Sequence, residues 1–559
     1  MKFSDSHLGS WLIQTGNKSH SSLILSEDLQ TETTTRSEGK MGWCIYTDES
    51  IDPNTSLVSC SIDIAITPRK SRDRISKLLA GLKTSEDPTD VLQRSDIEKS
   101  ICSLSSENLT SSWSDHQVMC LYLLLTRLTN EAKSCSECLG DNHLRSGKIL
   151  IPDLMGDLFN VHQQYVALLP SDQALMTPLY WSPTELEKLR YTNLYQATLD
   201  RRRDWGVEFD DIMSQIKTFV PELHIYLLGR LAGSDYLWAS TIISSRAFPS
   251  TLLEPCIRRR DLSTSQVYTE QSFNVHQSMS LDSISQSVPV LLPGVDMLNH
   301  QRGVKVEWRS RHQGDPKSCV EIVNLDVIGQ GSQVFNNYGA KSTAEWILGY
   351  GFALEQKDWD LSKRPQDSPS NPDDFYSLKV AIPQSPDRER QLVMRVLRSL
   401  DDSHLFHNLT IKEPVPNALL AQLRLLVSST PEELDIIEAA FSSVESSNPS
   451  TEAGTLLHCM STRISWENEL NALDLFKSML EIQYERLNAM DWKTDDQHNW
   501  KGVREPIKKM IKIYRTGQSD ILFDAISALD CRISETMKDA EADGFAFMDD
   551  TDNSSETSE

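Results

Sequence analysis

The segment VLLPGVDMLNHQRGVKVEW, residues 290–308, places an acid, an amide and an imidazole within five positions. Asp296, Asn299 and His300 follow an apolar run that ends at a Pro-Gly pair. Metal sites and acid–base catalysts both use carboxylates and imidazoles that lie close together. A turn-capping aspartate near a buried core histidine would give the same pattern, so the segment alone leaves these interpretations open.

Three other segments carry side chains that could join the same site. They are Ser245-Arg246, SQVFNNYG at 332–339 and STAEWILGYGFAL at 342–354. Separately, each has an ordinary structural interpretation: a cation that caps the end of a helix, a turn at the end of a strand, or aromatic residues of a core. Their joint occurrence, in this order, is what indicates a functional site.

Hydrophobic patterning predicts the elements that must position these residues. Short β-favouring runs make residues 8–70 strand-rich, and VPVLLPG, VKVEWRS and VEIVNLDV predict further strands around the DMLNH segment. Residues 115–131 carry apolar positions at helical spacing, and a second helix is predicted to end at Ser245-Arg246. Strands and helices are therefore interleaved through the first part of the chain.

Two regions are predicted to be helical. In the first, residues 171–235, a helix begins at Ser182-Pro183, and Glu185 stands at the capping-box position. In the second, residues 375–540, several segments show helical periodicity. Ser- and Gln-rich residues 261–288 predict a flexible insertion, and the acidic residues 541–559 predict a disordered tail.

Length and charge limit the class of protein. A chain of 559 residues exceeds the roughly 250–300 residues that one core serves, so at least two domains are expected. The formal net charge of −25 disfavours nucleic acid as a ligand and favours a basic partner. The longest apolar run, VMCLYLLL, is too short to span a bilayer, and no signal peptide is visible at the N-terminus. We therefore expect no membrane association and a cytoplasmic location, a nuclear location or both.

The cysteines do not predict a metal site. Cys135 and Cys138 form one C-x-x-C pair, with His143 nearby. A structural zinc ion needs four ligands, and no second pair stands at the spacing of a zinc finger. No metal ion is therefore expected.

The ordered set of S-R, D-x-x-N-H, N-Y-G and Y-G-F segments resembles the SET-domain protein methyltransferases. It is most similar to the subgroup typified by the Rubisco large-subunit and plant aldolase lysine methyltransferases and the fungal ribosomal-protein lysine methyltransferases. Other segments extend the resemblance over most of the chain: WLIQTG (11–16), ITPRKS, YVALLP, LYWSPTELEKL and IYRTGQSDIL (513–522). No cysteine cluster follows residue 353, which also fits this subgroup rather than the zinc-dependent histone-specific type.

The resemblance implies an α+β fold: a SET-domain β-fold with a knot-like crossing, a helical insert and an all-α C-terminal substrate-binding domain. The predicted boundaries are 1–170 for the N-terminal part of the SET domain, 171–235 for the insert and 236–355 for its C-terminal part, which contains the insertion at 261–288. The helical domain covers 375–540 and the tail 541–559. The crossing would bring Asn299 and His300 next to Tyr338.

The resemblance also implies an activity, the S-adenosylmethionine-dependent methylation of lysine in a basic, non-histone protein such as a ribosomal protein or translation factor. The neutral amine attacks the methyl group in line, so the enzyme must chiefly position its reactants. Tyr338 matches the catalytic tyrosine, and Tyr350 and Phe352 match walls of the substrate channel. The implied cofactor-binding residues are Arg246, Asp296, Asn299, His300 and Tyr338. The protein is expected to act as a monomer.

The family's Gly-x-Gly turn is altered in this chain. The corresponding segment is EGKMGWCIYTDE, in which Lys40 takes the place of the first glycine and Gly42 is the second. Lys40, Gly42 and Trp43 are candidate cofactor contacts on this basis. Two alternatives remain open: a protein-histidine methyltransferase, since a relative in the family modifies a histidine of actin, and a catalytically weak SET-like binding scaffold.

Overall fold

A computed structural model describes residues 2–15, 17–27, 43–83, 106–134, 145–146, 149–253, 270–274, 287–311, 318–355, 371–381, 405–442, 461–496 and 498–545. The candidate residues Lys40 and Gly42 lie outside these ranges, as do Cys135, Cys138 and His143. Within them, no helix is long and apolar enough to cross a membrane. The same residues contain no group of three or more His, Cys, Asp or Glu side chains that could hold a metal ion.

The strands form one larger sheet and several strand pairs. The strands are β1 (Lys18–Ser19), β2 (Leu23–Glu27), β3 (Trp43–Thr47), β4 (Ser56–Ser61), β5 (Arg145–Ser146), β6 (Ile149–Leu150), β7 (Phe248–Pro249), β8 (Glu270–Asn274), β9 (Pro289–Val290), β10 (Asn299–His300), β11 (Val306–Arg311), β12 (Cys319–Asn324), β13 (Phe335–Asn336), β14 (Tyr376–Lys379) and β15 (Phe406–Leu409). The five-stranded sheet has the order β1-β4-β12-β11-β8, and all its neighbours are antiparallel. The pairs are β2-β3, β5-β6, β7-β9, β14-β15 and the parallel pair β10-β13.

Helices account for most of the described elements after residue 410. The helices are α1 (His7–Gln14), α2 (Pro68–Lys83), α3 (Ser106–Ser112), α4 (Asp115–Ser134), α5 (Ile151–Phe159), α6 (Gln163–Leu168), α7 (Pro183–Glu187), α8 (Asn193–Phe219), α9 (Pro221–Leu227), α10 (Gly233–Arg246), α11 (Thr343–Glu345), α12 (Asn417–Val427), α13 (Pro431–Ser442), α14 (Trp466–Asn488) and α15 (Glu505–Ala542). A π-helical turn, Trp346–Tyr350, follows α11 directly. The mixed α+β class expected from the sequence is confirmed.

The capping signal at the start of the insert forms as predicted. The Ser182 hydroxyl accepts a hydrogen bond from the Glu185 N–H (3.2 Å), and the Glu185 carboxylate accepts one from the Ser182 N–H (2.9 Å). Pro183 occupies the first turn, where its missing N–H costs nothing. This reciprocal arrangement fixes where α7 begins.

Two expectations about extended structure were wrong. Residues 261–288 were expected to be a flexible loop, but residues 270–274 form β8, which pairs with β11 along the edge of the five-stranded sheet. The C-terminal domain was expected to be all-helical, but residues 376–379 and 406–409 form the β14-β15 pair. Antiparallel pairing uses backbone groups, so the polar segment of β8 can form an edge strand without an apolar pattern. The β14-β15 pair instead buries Tyr376, Leu378 and Leu409 against the C-terminal helices. The last helix ends at Ala542, within the segment assigned to the tail.

The hydrophobic core has separate parts. One cluster joins the five-stranded sheet to helices α1, α2, α4 and α10, and another lies among α12, α14 and α15. A third joins the helical insert to the start of α15 and includes Trp181, Leu189, Trp500 and Tyr514. The third cluster therefore connects the insert to the C-terminal helices.

Two arginines reinforce this connection. The guanidinium of Arg504 forms a bidentate pair with Glu185, at 2.8 Å and 3.0 Å. Arg515 is fully buried and donates to the carbonyls of Lys188 (2.8 Å) and Arg190 (2.7 Å), which end the helical turn after α7. Because a buried guanidinium needs acceptors, these carbonyls hold α15 against the insert.

Candidate functional site

The parallel pair β10-β13 joins two of the segments that the sequence singled out. Asn299 lies opposite Phe335 and His300 opposite Asn336. The Gln301 N–H donates to the Asn336 carbonyl at 3.0 Å and continues the pairing. The DMLNH and NNYG segments therefore run side by side, and Tyr338 follows immediately beyond the pair.

Tyr338 is fixed at both ends by the DMLNH segment. Its backbone N–H donates to His300 Nδ1 at 3.0 Å, and its hydroxyl donates to the Leu298 carbonyl at 2.8 Å. Burial raises the pKa of the Tyr338 hydroxyl well above its ordinary value. The hydroxyl therefore keeps its proton near neutral pH, and its lone pairs remain free to act as acceptors.

His300 is held as a neutral imidazole with a defined tautomer. Burial, followed by the charges of Arg302 and Lys341, lowers the pKa of His300 to about 4. Nδ1 accepts the Tyr338 N–H, so the single proton must be on Nε2. Nε2 is buried and has no hydrogen-bond partner among the described residues. A bound molecule with an acceptor atom would satisfy this donor.

Arg246 ends α10 beside the buried carboxylate of Asp296. Its Nη1 donates to the Asp296 carbonyl at 3.0 Å and to Oδ2 at 3.4 Å. The Asp296 side chain is fully buried, whereas that of Arg246 is 24% exposed. Within the described part of the chain, only Nη1 has a hydrogen-bond partner, so Nε and Nη2 can serve a bound anion.

Asn299 connects β10 to the third strand. Its Nδ2 lies 3.5 Å from the Trp43 carbonyl and 3.4 Å from Cys44 Sγ. Trp43 is the first residue of β3 and directly follows the altered Gly-x-Gly segment in the sequence. The side chain of Asn299 therefore faces the strand that this segment enters.

Tyr338 belongs to a cluster of stacked rings. We call Tyr338, Trp346, Tyr350 and Phe352 the aromatic wall. The Tyr338 and Tyr350 rings stack at 5.4 Å, and the Trp346 ring lies 5.1 Å from Phe352 and 5.3 Å from Tyr350. The imidazole of His300 stacks on Trp346 at 4.5 Å. The wall thus connects both predicted channel residues to the D-x-x-N-H segment.

Gly351 allows the chain to place Tyr350 and Phe352 in the same wall. Its N–H closes the π-turn by donating to the Trp346 carbonyl (3.0 Å), and its φ is +81°. A Cβ at this position would lie 2.9 Å from the backbone of Met176 and of Thr177. Both the left-handed conformation and the close approach require glycine.

The helix that carries the wall is capped by a more distant segment. Asp374 accepts hydrogen bonds from the Thr343 N–H and, at 2.8 Å, from the Thr343 hydroxyl. The amide of Asn371 donates to the Lys341 carbonyl at 3.0 Å. Burial raises the pKa of Asp374 to about 6. Residues 371–374 therefore hold the N-terminus of α11 and so the base of the aromatic wall.

The structure brings most of the sequence-predicted residues together and adds others. The residues assembled in one region are Trp43, Arg246, Asp296, Asn299, His300, Tyr338, Tyr350 and Phe352. Sequence reasoning missed Trp346, although its spacing of four residues from Tyr350 places both on one helical face. It also missed Asp374 and Tyr165, for which the sequence carries no comparable signal.

No protein-family profile matches the chain. Over 228 residues it is 31% identical to the ribosomal lysine N-methyltransferase set10 of Schizosaccharomyces pombe, covering 41% of this chain and 32% of that protein. Over 209 residues it is 28% identical to ribosomal lysine N-methyltransferase 1 of Saccharomyces cerevisiae, covering 35% and 33%. The chain therefore spans about a third of the length of these relatives.

Two solved structures match nearly the whole chain. A crystal structure of the SET domain of LSMT bound to methyllysine and AdoHcy has a TM-score of 0.56 at 15% identity, covering 97% of this chain and 96% of that one. A structure of Rubisco LSMT bound to AdoMet has a TM-score of 0.57 at 16% identity with the same coverage. The chain has the SET-domain fold of Rubisco LSMT, as the sequence predicted.

Proposed function

We propose that this protein is an S-adenosylmethionine-dependent protein-lysine N-methyltransferase that acts on a basic non-histone protein, such as a ribosomal protein or a translation factor. One observation carries the proposal: Tyr338 is hydrogen-bonded to both Leu298 and His300 and stacks on Tyr350 within the aromatic wall. This arrangement combines an oriented hydroxyl, neighbouring polar side chains and a set of stacked rings. The similarity to ribosomal lysine N-methyltransferases supports the same activity.

The polar groups of the site fit the cofactor's functional groups. When bound, S-adenosylmethionine supplies a methyl group attached to a sulfonium, whose positive charge makes the methyl carbon open to attack by a nucleophile. The free edge of Arg246 suits the cofactor's carboxylate. The unpartnered Nε2–H of His300 needs an acceptor, which the purine or another part of the ligand can provide. Trp43 and Asn299 would line the same pocket, whereas Asp296 would support Arg246 rather than touch the ligand.

Tyr338 and His300 would help to position the lysine, but neither offers a base for it. Tyr338 holds its own proton because burial raises its pKa, and His300 uses Nδ1 to accept the Tyr338 N–H. Neither group can therefore remove a proton from the lysine ammonium. The aromatic wall, including Tyr350 and Phe352, would hold the aliphatic stem and tolerate the cation until the amine loses its proton to water. Methylation should then accelerate as pH rises toward the lysine pKa.

The remaining parts of the chain would serve the protein substrate. We propose the divisions 1–170, 171–235, 236–355 and 375–540, with the last as the substrate-binding domain. The ion pair between Arg504 and Glu185 and the carbonyl contacts of Arg515 support this role, because they fix the C-terminal helices relative to the insert. The net charge of −25 favours a basic substrate over nucleic acid. We also propose that the enzyme is monomeric and acts in the cytoplasm, the nucleus or both.

The test is methyl transfer from radiolabelled S-adenosylmethionine into ribosomal-protein and translation-factor fractions. The proposal expects a labelled protein, and mass spectrometry of that band should find methyllysine. Methylhistidine would instead support the histidine-methyltransferase alternative. If the protein binds S-adenosylhomocysteine in calorimetry but labels nothing, the weak-scaffold alternative gains support. If it neither binds nor labels, the proposal is wrong.

A further inference from the structure

Tyr165 lies outside the assigned site but reaches it through a buried hydrogen bond. It belongs to α6 and is only 1% exposed. Its hydroxyl donates to Asp296 Oδ2 at 2.8 Å, across 131 residues of sequence. The other oxygen of the carboxylate, Oδ1, accepts the Gly294 N–H at 3.1 Å. Both carboxylate oxygens of Asp296 therefore accept a hydrogen bond from a group other than Arg246.

This engagement shapes the contact between Asp296 and Arg246. Charge-assisted pairs of arginine and carboxylate are often bidentate, with N···O distances of about 2.7–2.9 Å. Here a single nitrogen, Nη1, approaches Oδ2 at 3.4 Å and makes its shorter bond, 3.0 Å, to the Asp296 backbone carbonyl. Asp296 thus offsets the charge of Arg246 without occupying the planar edge of its guanidinium.

We propose that Tyr165 is a positioning residue for recognition of the cofactor's carboxylate, because it holds Asp296 Oδ2 away from bidentate pairing with Arg246. The inference rests on the proposed function, in which the free edge of Arg246 binds that carboxylate. Without the Tyr165 hydroxyl, Oδ2 loses a donor inside a fully buried site. The nearest replacement donor is Arg246, and a bidentate Asp296–Arg246 pair would close the edge that the ligand needs.

Cavity and packing changes are small in the variant that tests this idea. Tyr165→Phe removes one oxygen and keeps the ring in α6. The matched control is Tyr122→Phe, because Tyr122 is also buried and hydrogen-bonded, in its case to His162 Nδ1 at 2.6 Å, and it does not contact Asp296 or Arg246. Thermal unfolding of both variants checks that the fold is retained.

The experiment compares two ligands by isothermal titration calorimetry. S-adenosylhomocysteine carries the carboxylate, and its decarboxylated analogue, 5′-deoxy-5′-(3-aminopropylthio)adenosine, lacks only that group. Tyr165→Phe should weaken binding of S-adenosylhomocysteine by about tenfold or more, as expected for a weakened hydrogen bond to a charged group. Its affinity for the decarboxylated analogue should match that of the wild type. Tyr122→Phe should bind both ligands as the wild type does.

Each other outcome is decisive. Equal weakening of both ligands would mean that Tyr165 acts only through general structure, and unchanged affinity for S-adenosylhomocysteine would mean that it has no role; either result overturns the inference. If wild-type protein binds S-adenosylhomocysteine no better than the decarboxylated analogue, the role of Arg246 is wrong and the inference falls with it. If the wild type binds neither ligand, the proposed function itself fails. Should Tyr165→Phe not fold, Asp296→Asn provides the second test. An amide cannot form the charge-assisted bidentate pair, so the edge of Arg246 stays open and the affinity for S-adenosylhomocysteine should not fall; a fall selective for this ligand would overturn the inference.

Discussion

Replacement of Gly351 by alanine tests how the chain builds the aromatic wall. The φ of +81° costs a non-glycine residue roughly 1–2 kcal/mol. The new Cβ would also lie 2.9 Å from the backbone atoms of Met176 and Thr177, which cannot rotate away as a side chain can. Overpacking of this kind typically costs about 1–3 kcal/mol. Together these terms predict a loss of about 2–5 kcal/mol in the free energy of unfolding.

Gly331→Ala is the matched control, because Gly331 has a φ of +76° and no atom within 4 Å of the added Cβ. It should lose only the conformational part, about 1–2 kcal/mol. Urea unfolding of both variants, followed by tryptophan fluorescence, measures the difference. Gly351→Ala should in addition slow methyl transfer by a factor on the order of ten to a hundred, since displaced rings misalign the substrate. Equal destabilisation of the two variants would show that the close approach to Met176 and Thr177 adds no cost.

Three further predictions concern neighbouring groups. His300→Asn, which keeps an acceptor for the backbone N–H of Tyr338, should retain more transfer activity than His300→Leu, and equal rates would contradict the assigned hydrogen bond. Trp346→Leu should lower kcat by about tenfold or more, because the ring stacking on His300 is lost. Trp492→Phe, a change at another buried indole, should leave kcat unchanged. Comparable kcat values for the two variants would exclude a positioning role for Trp346. The pKa of Asp374 is raised from 3.8 to about 6, so the folded protein binds the proton more tightly than the unfolded chain. The free energy of unfolding should therefore fall by on the order of 3 kcal/mol as pH rises from about 4 to about 6. Urea unfolding of Asp374→Asn should lack this pH dependence, and an unchanged pH profile would contradict the role of Asp374.

Local signals predicted local structure well. The capping box at Ser182 and Glu185 depends on residues three positions apart, so its geometry can be read from the sequence. Trp346 could have been found in the same way, because it shares a helical face with Tyr350. The placement of Asn299 and His300 beside Tyr338 was expected only from the family resemblance.

Long-range partners carried no such signal. The Tyr165–Asp296 hydrogen bond joins residues 131 positions apart, and nothing around Tyr165 distinguishes it from an ordinary core tyrosine. Strand β8 arises in a polar segment because β11 offers backbone donors and acceptors at the sheet edge. The β14-β15 pair packs Tyr376, Leu378 and Leu409 into the core cluster of the C-terminal helices, a burial that follows from tertiary contacts. In each case the tertiary environment decides what local composition leaves open.

If Tyr338 aligns a methyl transfer to lysine, Tyr338→Phe should slow the transfer without weakening cofactor binding. The variant keeps a ring in the aromatic wall and removes the oxygen that donates to the Leu298 carbonyl. Calorimetry should give an affinity for S-adenosylhomocysteine within about twofold of the wild type, while single-turnover transfer to a methyl-accepting protein falls by about tenfold or more. An unchanged rate of transfer with unchanged binding would show that the Tyr338 hydroxyl does not align the methyl transfer.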